Sequence, residues 1–168
     1  GFHYGISGNF TRNWNAVTRY NGRLQAGWTT DENGTRVYKT NIGDVSTVID
    51  AARRTIEGKL INEYFVANVY NGSGENFFAD GSVNPAGGPK DGMNRTPEDM
   101  EWLEAMVKAG NTFLPNKTIG KKGIWYGDYI YADVNGDGVW GASNDYTFQG
   151  VSQTPKFYYG FNIDLSYK

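Results

Sequence analysis

The sequence contains no cysteine and a single histidine, His3. Disulfides, thiolate metal sites and a cysteine nucleophile are excluded, and histidine catalysis has nothing to build on. No apolar run is long enough for a transmembrane helix, and no stretch reads as a signal peptide. This argues against a helical membrane protein. It leaves a membrane β-barrel open, because barrel strands are short and only half apolar. A strong charge of one sign is also missing: 16 Lys and Arg stand against 18 Asp and Glu, a net charge of −2. No basic surface for nucleic acid is expected. There is no nucleophile elbow, phosphate loop or histidine cluster, so the chain is not expected to be an enzyme.

Glycine and aromatic side chains are abundant. The 168 residues include 23 Gly, 12 Tyr, 9 Phe and 5 Trp. With many Asn and Thr beside them, these residues point to β-structure joined by long loops. So many tyrosines need an amphipathic setting: a membrane interface, a sugar platform or a sheet surface. The length suffices for one domain with a core.

The alternation of residue types is clearest at the two ends. Phe2, Tyr4, Ile6, Phe10 and Trp14 are apolar, and the residues between them are small or polar. This period of two predicts one long strand over residues 1–15. In the last segment, 156–168, Phe157, Tyr159, Phe161, Ile163, Leu165 and Tyr167 share one face, and Tyr158, Gly160, Asn162, Asp164 and Ser166 share the other. It predicts a second long strand.

Residues 16–155 read as one long loop region. Asn21-Gly22 and Asn33-Gly34 are hairpin signals, with short strands expected near 23–29 and 35–40. Residues 44–57 are ambiguous between helix and strand. Residues 60–70 and 124–132 read as strands, and 71–95 and 111–123 as loops. A helix is expected over 97–109. Thr96 is a suitable N-cap, Pro97 fits the first position, Glu98 and Asp99 favour the positive end of the dipole, and Gly110 ends it. Met100, Leu103 and Val107, with Met106, form its apolar stripe.

An acidic loop spans 133–145. Asp133, Asn135 and Asp137 occupy alternate positions and Gly138 follows, as in the first half of an EF-hand calcium loop. The carbonyl of Val139 stands at the seventh position. The twelfth is Asn144, with Asp145 one residue later as the available carboxylate. The loop is either a structural Ca²⁺ site or an Asx-rich turn that caps its own amides. Trp125, Tyr126 and Trp140 flank it. They are candidate contacts for a ligand such as a sugar ring, or packing anchors for the loop.

The segments G-D-Y-I-Y-A-D-V-N-G-D-G-V from Gly127 and G-V-S-Q-T-P-K-F-Y-Y-G-F-N-I-D-L-S-Y-K from Gly150 resemble the C-terminal part of SusC/RagA-type TonB-dependent outer-membrane receptors. S-G-N-F-T-R-N from Ser7 and I-E-G-K-L-I-N-E-Y-F from Ile56 resemble the same family. The resemblance implies a mainly β chain with one short helix, antiparallel strands and long extracellular-type loops. It would be a fragment of a roughly 22-stranded plugged barrel. The family imports glycans or peptides across the bacterial outer membrane with a SusD-like surface lipoprotein. A fragment of such a barrel is expected to self-associate through its strand edges. The alternative is a soluble, secreted, calcium-stabilised carbohydrate-binding β-domain. The two differ in whether Phe157, Tyr159, Phe161, Ile163 and Leu165 line a closed core.

Overall fold

The computed structural model describes all of Gly1–Lys168. In chain order the elements are β1 (Phe2–Arg12), β2 (Ala26–Thr30), β3 (Arg36–Thr40), a single-turn helix α1 (Ile42–Val45), β4 (Thr47–Asp50), β5 (Arg53–Thr55) and β6 (Glu63–Val66). There follow α2 (Pro97–Lys108), β7 (Thr112–Phe113), β8 (Val139–Trp140), a 3₁₀ turn at Ser143–Asp145, β9 (Thr147–Ser152) and β10 (Phe157–Tyr167). The chain is mainly β, and its sheets are antiparallel apart from the short parallel β7–β8 pair. No sheet closes on itself.

The alternating ends pair with each other. β1 and β10 form an antiparallel two-stranded sheet in unbroken register, from Phe2 opposite Tyr167 to Arg12 opposite Phe157. Antiparallel register keeps same-face residues opposite each other, so both apolar sets fall on one side. Tyr4 faces Leu165, Ile6 faces Ile163 and Phe10 faces Tyr159. No other part of the chain covers that side: Ile163 is 58% exposed and Tyr159 85%. The pairing continues past β1 through the Asn13 amide, which donates to the Lys156 carbonyl at 2.8 Å.

Everything between these strands forms a folded excursion. Its first part is the hairpin β2–β3, turned at Asp31–Thr35, where the Asp31 carboxylate accepts the amides of Asn33 and Thr35. The second part is the four-stranded sheet β4-β5-β6-β9. Buried Glu63 ties it together: one carboxylate oxygen accepts the Leu60 amide and the other the Gly150 amide, each at 2.7 Å. The third part is built on α2. Thr96 and Asp99 form a reciprocal capping box, which satisfies two of the amides a helix start leaves free. Trp102, Leu103 and Met106 pack with Phe113, Ile124, Ile130 and Trp140 into the largest apolar cluster.

Several expectations need correction. Residues 124–132 do not form a strand. Ile124, Tyr129 and Tyr131 each make one isolated bridge, to Ile119, Met93 and Val69 respectively, and Gly127 at φ +92° breaks the run. The strand expected over 60–70 is confined to Glu63–Val66, because Asn62 lies in the left-handed region at φ 54°. The ambiguous 44–57 segment divides into the end of α1 and two short strands. β9 was not expected. On α2 the buried residues are Met100, Trp102, Leu103 and Met106, whereas Val107 is exposed. Trp102 lies beside the expected stripe and widens the buried face.

Candidate functional site

Two adjoining regions hold the chemistry of the excursion: the acidic loop and a cleft beside it. In the loop, every acidic side chain is held by backbone amides. One oxygen of Asp133 accepts the amides of Gly136 (2.6 Å) and Asp137 (3.2 Å), and the other accepts Gly138 (2.8 Å). The Asn135 side-chain oxygen accepts Asp137 at 2.9 Å, and Asp137 accepts Val139 at 2.8 Å. The alternate spacing brings these short side chains back onto their own backbone, as Asx turns do. Gly136 and Gly138, at φ +73° and +79°, supply the left-handed conformations the turn requires.

Asp145 closes the loop from its C-terminal end. The side chain is fully buried. One oxygen accepts the amides of Val134 (2.8 Å) and Asn135 (3.2 Å), and the other accepts Ala142 (2.9 Å). Burial pushes its carboxyl above the usual carboxylate range, and neighbouring Asp133 adds to the rise, against the lowering effect of the three amides. Of the residues expected to hold calcium, Asp133, Asn135 and Asp137 do meet in one turn, and Asp145 reaches it from the far side. No three acidic side chains in the molecule converge on one point. Val139 enters β8 and pairs with Thr112.

The loop also joins the parts of the excursion. The Trp28 indole of β2 donates to the Asn135 carbonyl at 2.9 Å. The Trp140 indole donates to the Asn111 side chain at 2.9 Å, just past α2. Trp140 was a candidate ligand platform, but it is buried. Its ring meets Tyr70 edge-on at 4.9 Å and lies 5.1 Å from Phe113. A ring so enclosed packs the loop onto the α2 part. Trp125 and Tyr126 form an edge-to-face pair at 4.9 Å, with Trp125 half-buried and Tyr126 exposed.

The cleft was not anticipated. It has a volume of about 440 Å³ and lies between the β2–β3 hairpin, the four-stranded sheet and the turn at Ser143–Tyr146. Its lining is aromatic, with the Phe65 ring on β6 tilted against Phe148 on β9 at 4.8 Å and Tyr146 5.9 Å away. Arg54 lies over the Phe65 ring at 5.2 Å and Lys59 over the Phe148 ring at 5.4 Å. A second cleft of about 700 Å³ shares Ser143 and Tyr146 with the first and is lined by Val66, Leu114, Pro115 and Tyr131. The sequence holds one legible trace of the first cleft. Tyr146 and Phe148 stand two apart, as same-face residues of a strand do. Arg54, Lys59 and Phe65, which line the same cleft, lie some 80–95 positions away, and no local pattern connects them.

The chain matches no family model, no curated protein and no solved structure.

Proposed function

We propose that this chain supplies two neighbouring strands and an extracellular excursion of a bacterial outer-membrane nutrient receptor. The type is TonB-dependent, as the resemblance to SusC/RagA proteins implies. The observation that carries this reading is the β1–β10 hairpin. Each strand has 11 residues. At about 3.4 Å per residue that is about 37 Å, and a tilt of about 40° brings the vertical span to about 28 Å. A barrel's apolar band is about 25 Å tall.

The distribution of side chains fits the same geometry. The apolar face has Phe2 and Tyr167 at one end, and Phe10, Tyr159 and Phe157 at the other. Ile6 and Ile163 lie between them. Tyr4 and Phe161 flank that aliphatic pair, so the face is aromatic at both ends, where barrel strands meet the lipid interfaces, and along most of its length. The opposite face carries Ser7, Asn9, Asn162 and Asp164, which suit a wet lumen. The outer edges of both strands carry no partner, as neighbouring barrel strands would require. A free-standing soluble domain would have to cover this apolar face, and the excursion leaves it bare. That favours the membrane reading over a soluble calcium-stabilised carbohydrate-binding domain.

On this reading the excursion, residues 13–156, faces outward, meets nutrient and contacts a SusD-like lipoprotein. Its role is binding rather than catalysis. Calcium at the 133–145 loop is part of the proposal, supported by the Asp133, Asn135 and Asp137 spacing. Because amides already hold these side chains, calcium would reinforce a turn that closes without it.

The experiment is partition of the full chain into lipid bilayers, with paired lysine variants. Ile163→Lys places a charge on the lipid face near mid-strand and is expected to lower insertion by about 2–4 kcal/mol. Asn162→Lys, one residue away on the opposite face, is expected to change it little. Equal effects of the two variants contradict the proposal.

A further inference from the structure

The first cleft carries an unbalanced charge. Its lining includes Arg54 and Lys59 and no acidic residue, in a protein whose net charge is −2. Neither cation is neutralised elsewhere. The three ion pairs of the molecule are Arg23–Glu57, Arg53–Asp50 and Arg95–Asp91. Nearby Glu57 and Asp50 are thus already engaged, and buried Glu63 is held by two amides. The guanidinium of Arg54 has only the Ser46 hydroxyl, at 3.4 Å. Both cations instead lean on aromatic rings whose centroids are 4.8 Å apart. Two cations fixed on adjoining rings, with donors to spare, form a ready receptor for a carboxylate.

The rest of the lining suits a sugar body. Thr40, Ser143, Asn144 and Thr147 bring hydroxyl and amide groups, and Tyr38 and Tyr146 bring ring faces with a hydroxyl at the edge. Volumes of about 300–1,000 Å³ are those of small-ligand sites. The second cleft continues past Ser143 and Tyr146 and carries no charged residue. Basic and neutral surroundings therefore adjoin across one aromatic side chain.

We propose that this cleft pair binds an acidic oligosaccharide. A hexuronate unit has its carboxylate at Arg54 and Lys59, and an adjacent unit lies beyond Tyr146. The site sharpens the reading of the excursion as nutrient-contacting, and rests on that reading only for its biological setting.

The test is calorimetric titration of the full chain, in detergent, with trigalacturonate, with neutral cellotriose and with an acidic tripeptide of equal charge. Trigalacturonate is expected to bind at least about tenfold tighter than cellotriose, the order of one charge-assisted hydrogen bond, and to weaken with salt. Arg54→Gln and Lys59→Gln are each expected to lose about tenfold. Asn144→Asp adds an acid to the lining without disturbing the ring pairs, and is expected to abolish the preference even if an Arg54 variant fails to fold. Equal affinity for the two trisaccharides, or no binding of either, overturns the proposal. So does peptide binding as tight as that of trigalacturonate, which would make the site one for acidic peptides. None of these outcomes depends on bilayer insertion, so the site can fail while the membrane reading stands.

Discussion

Asp145 has the most consequential position of any single residue in the loop. It lies outside the D-x-N-x-D-G run, yet its carboxylate takes three amides that otherwise have no partner in a buried setting. Truncation leaves those donors unsatisfied. Asp145→Ala is expected to lower stability by about 2–4 kcal/mol, measured by denaturant unfolding in detergent. Asp145→Asn is expected to cost less, because its oxygen can still serve Val134 and Asn135 while its amino group opposes Ala142. The companion measurement is chelation. EGTA is expected to leave the midpoint of the unmutated chain within about 1 kcal/mol of its starting stability. A fall on chelation as large as that of Asp145→Ala would mean that a cation, and not the amides, closes the loop. The spacing of Asp133, Asn135 and Asp137 makes the turn visible in the sequence. The fate of the oxygens is not visible there, because the same spacing serves a cation and a self-capped backbone equally well.

At the scale of elements, legibility follows how local the deciding interaction is. The capping box of α2 is contained in Thr96–Asp99, and the helix was expected within one residue of its observed end. β1 and β10 were visible because one face of each repeats over 11 residues without cover from any other element. β6 and β9 are different. Their pairing joins residues some 80–90 positions apart, and it sets buried Phe65 against Phe148. The 124–132 segment has the composition of a strand, but its apolar residues reach three separate partners. Trp102 shows how much one long-range contact decides. Its ring stacks on Tyr70 at 5.7 Å, its indole donates to the Asn84 carbonyl at 2.8 Å, and Gly88 approaches its face so closely that a Cβ there would lie 2.9 Å from the ring. Trp102→Ala is expected to destabilise the helical part by about 3–5 kcal/mol. Amide exchange should localise the loss to 70–140 and spare the β1–β10 ladder. Uniform loss across both would contradict the separation of hairpin from excursion.

For the whole molecule, a self-contained, hydrogen-bonded excursion is mounted on a hairpin that has no cover of its own. The excursion accounts for all the buried residues, and β1 and β10 for none. Such a division is costly in water and natural at a bilayer, where lipid supplies the missing apolar partner. The absence of cysteine makes this division directly measurable. Single cysteines introduced from Phe157 to Tyr167, each labelled with a fluorophore, would be read in bilayers containing a lipid-borne quencher. The expected result is a period of two. Positions 159, 161, 163 and 165 are quenched by lipid, and 158, 160, 162 and 164 are reached only by an aqueous quencher, with the lipid signal deepest near 163. Flat quenching along the strand, or aqueous access on both faces, would contradict a lipid-facing hairpin.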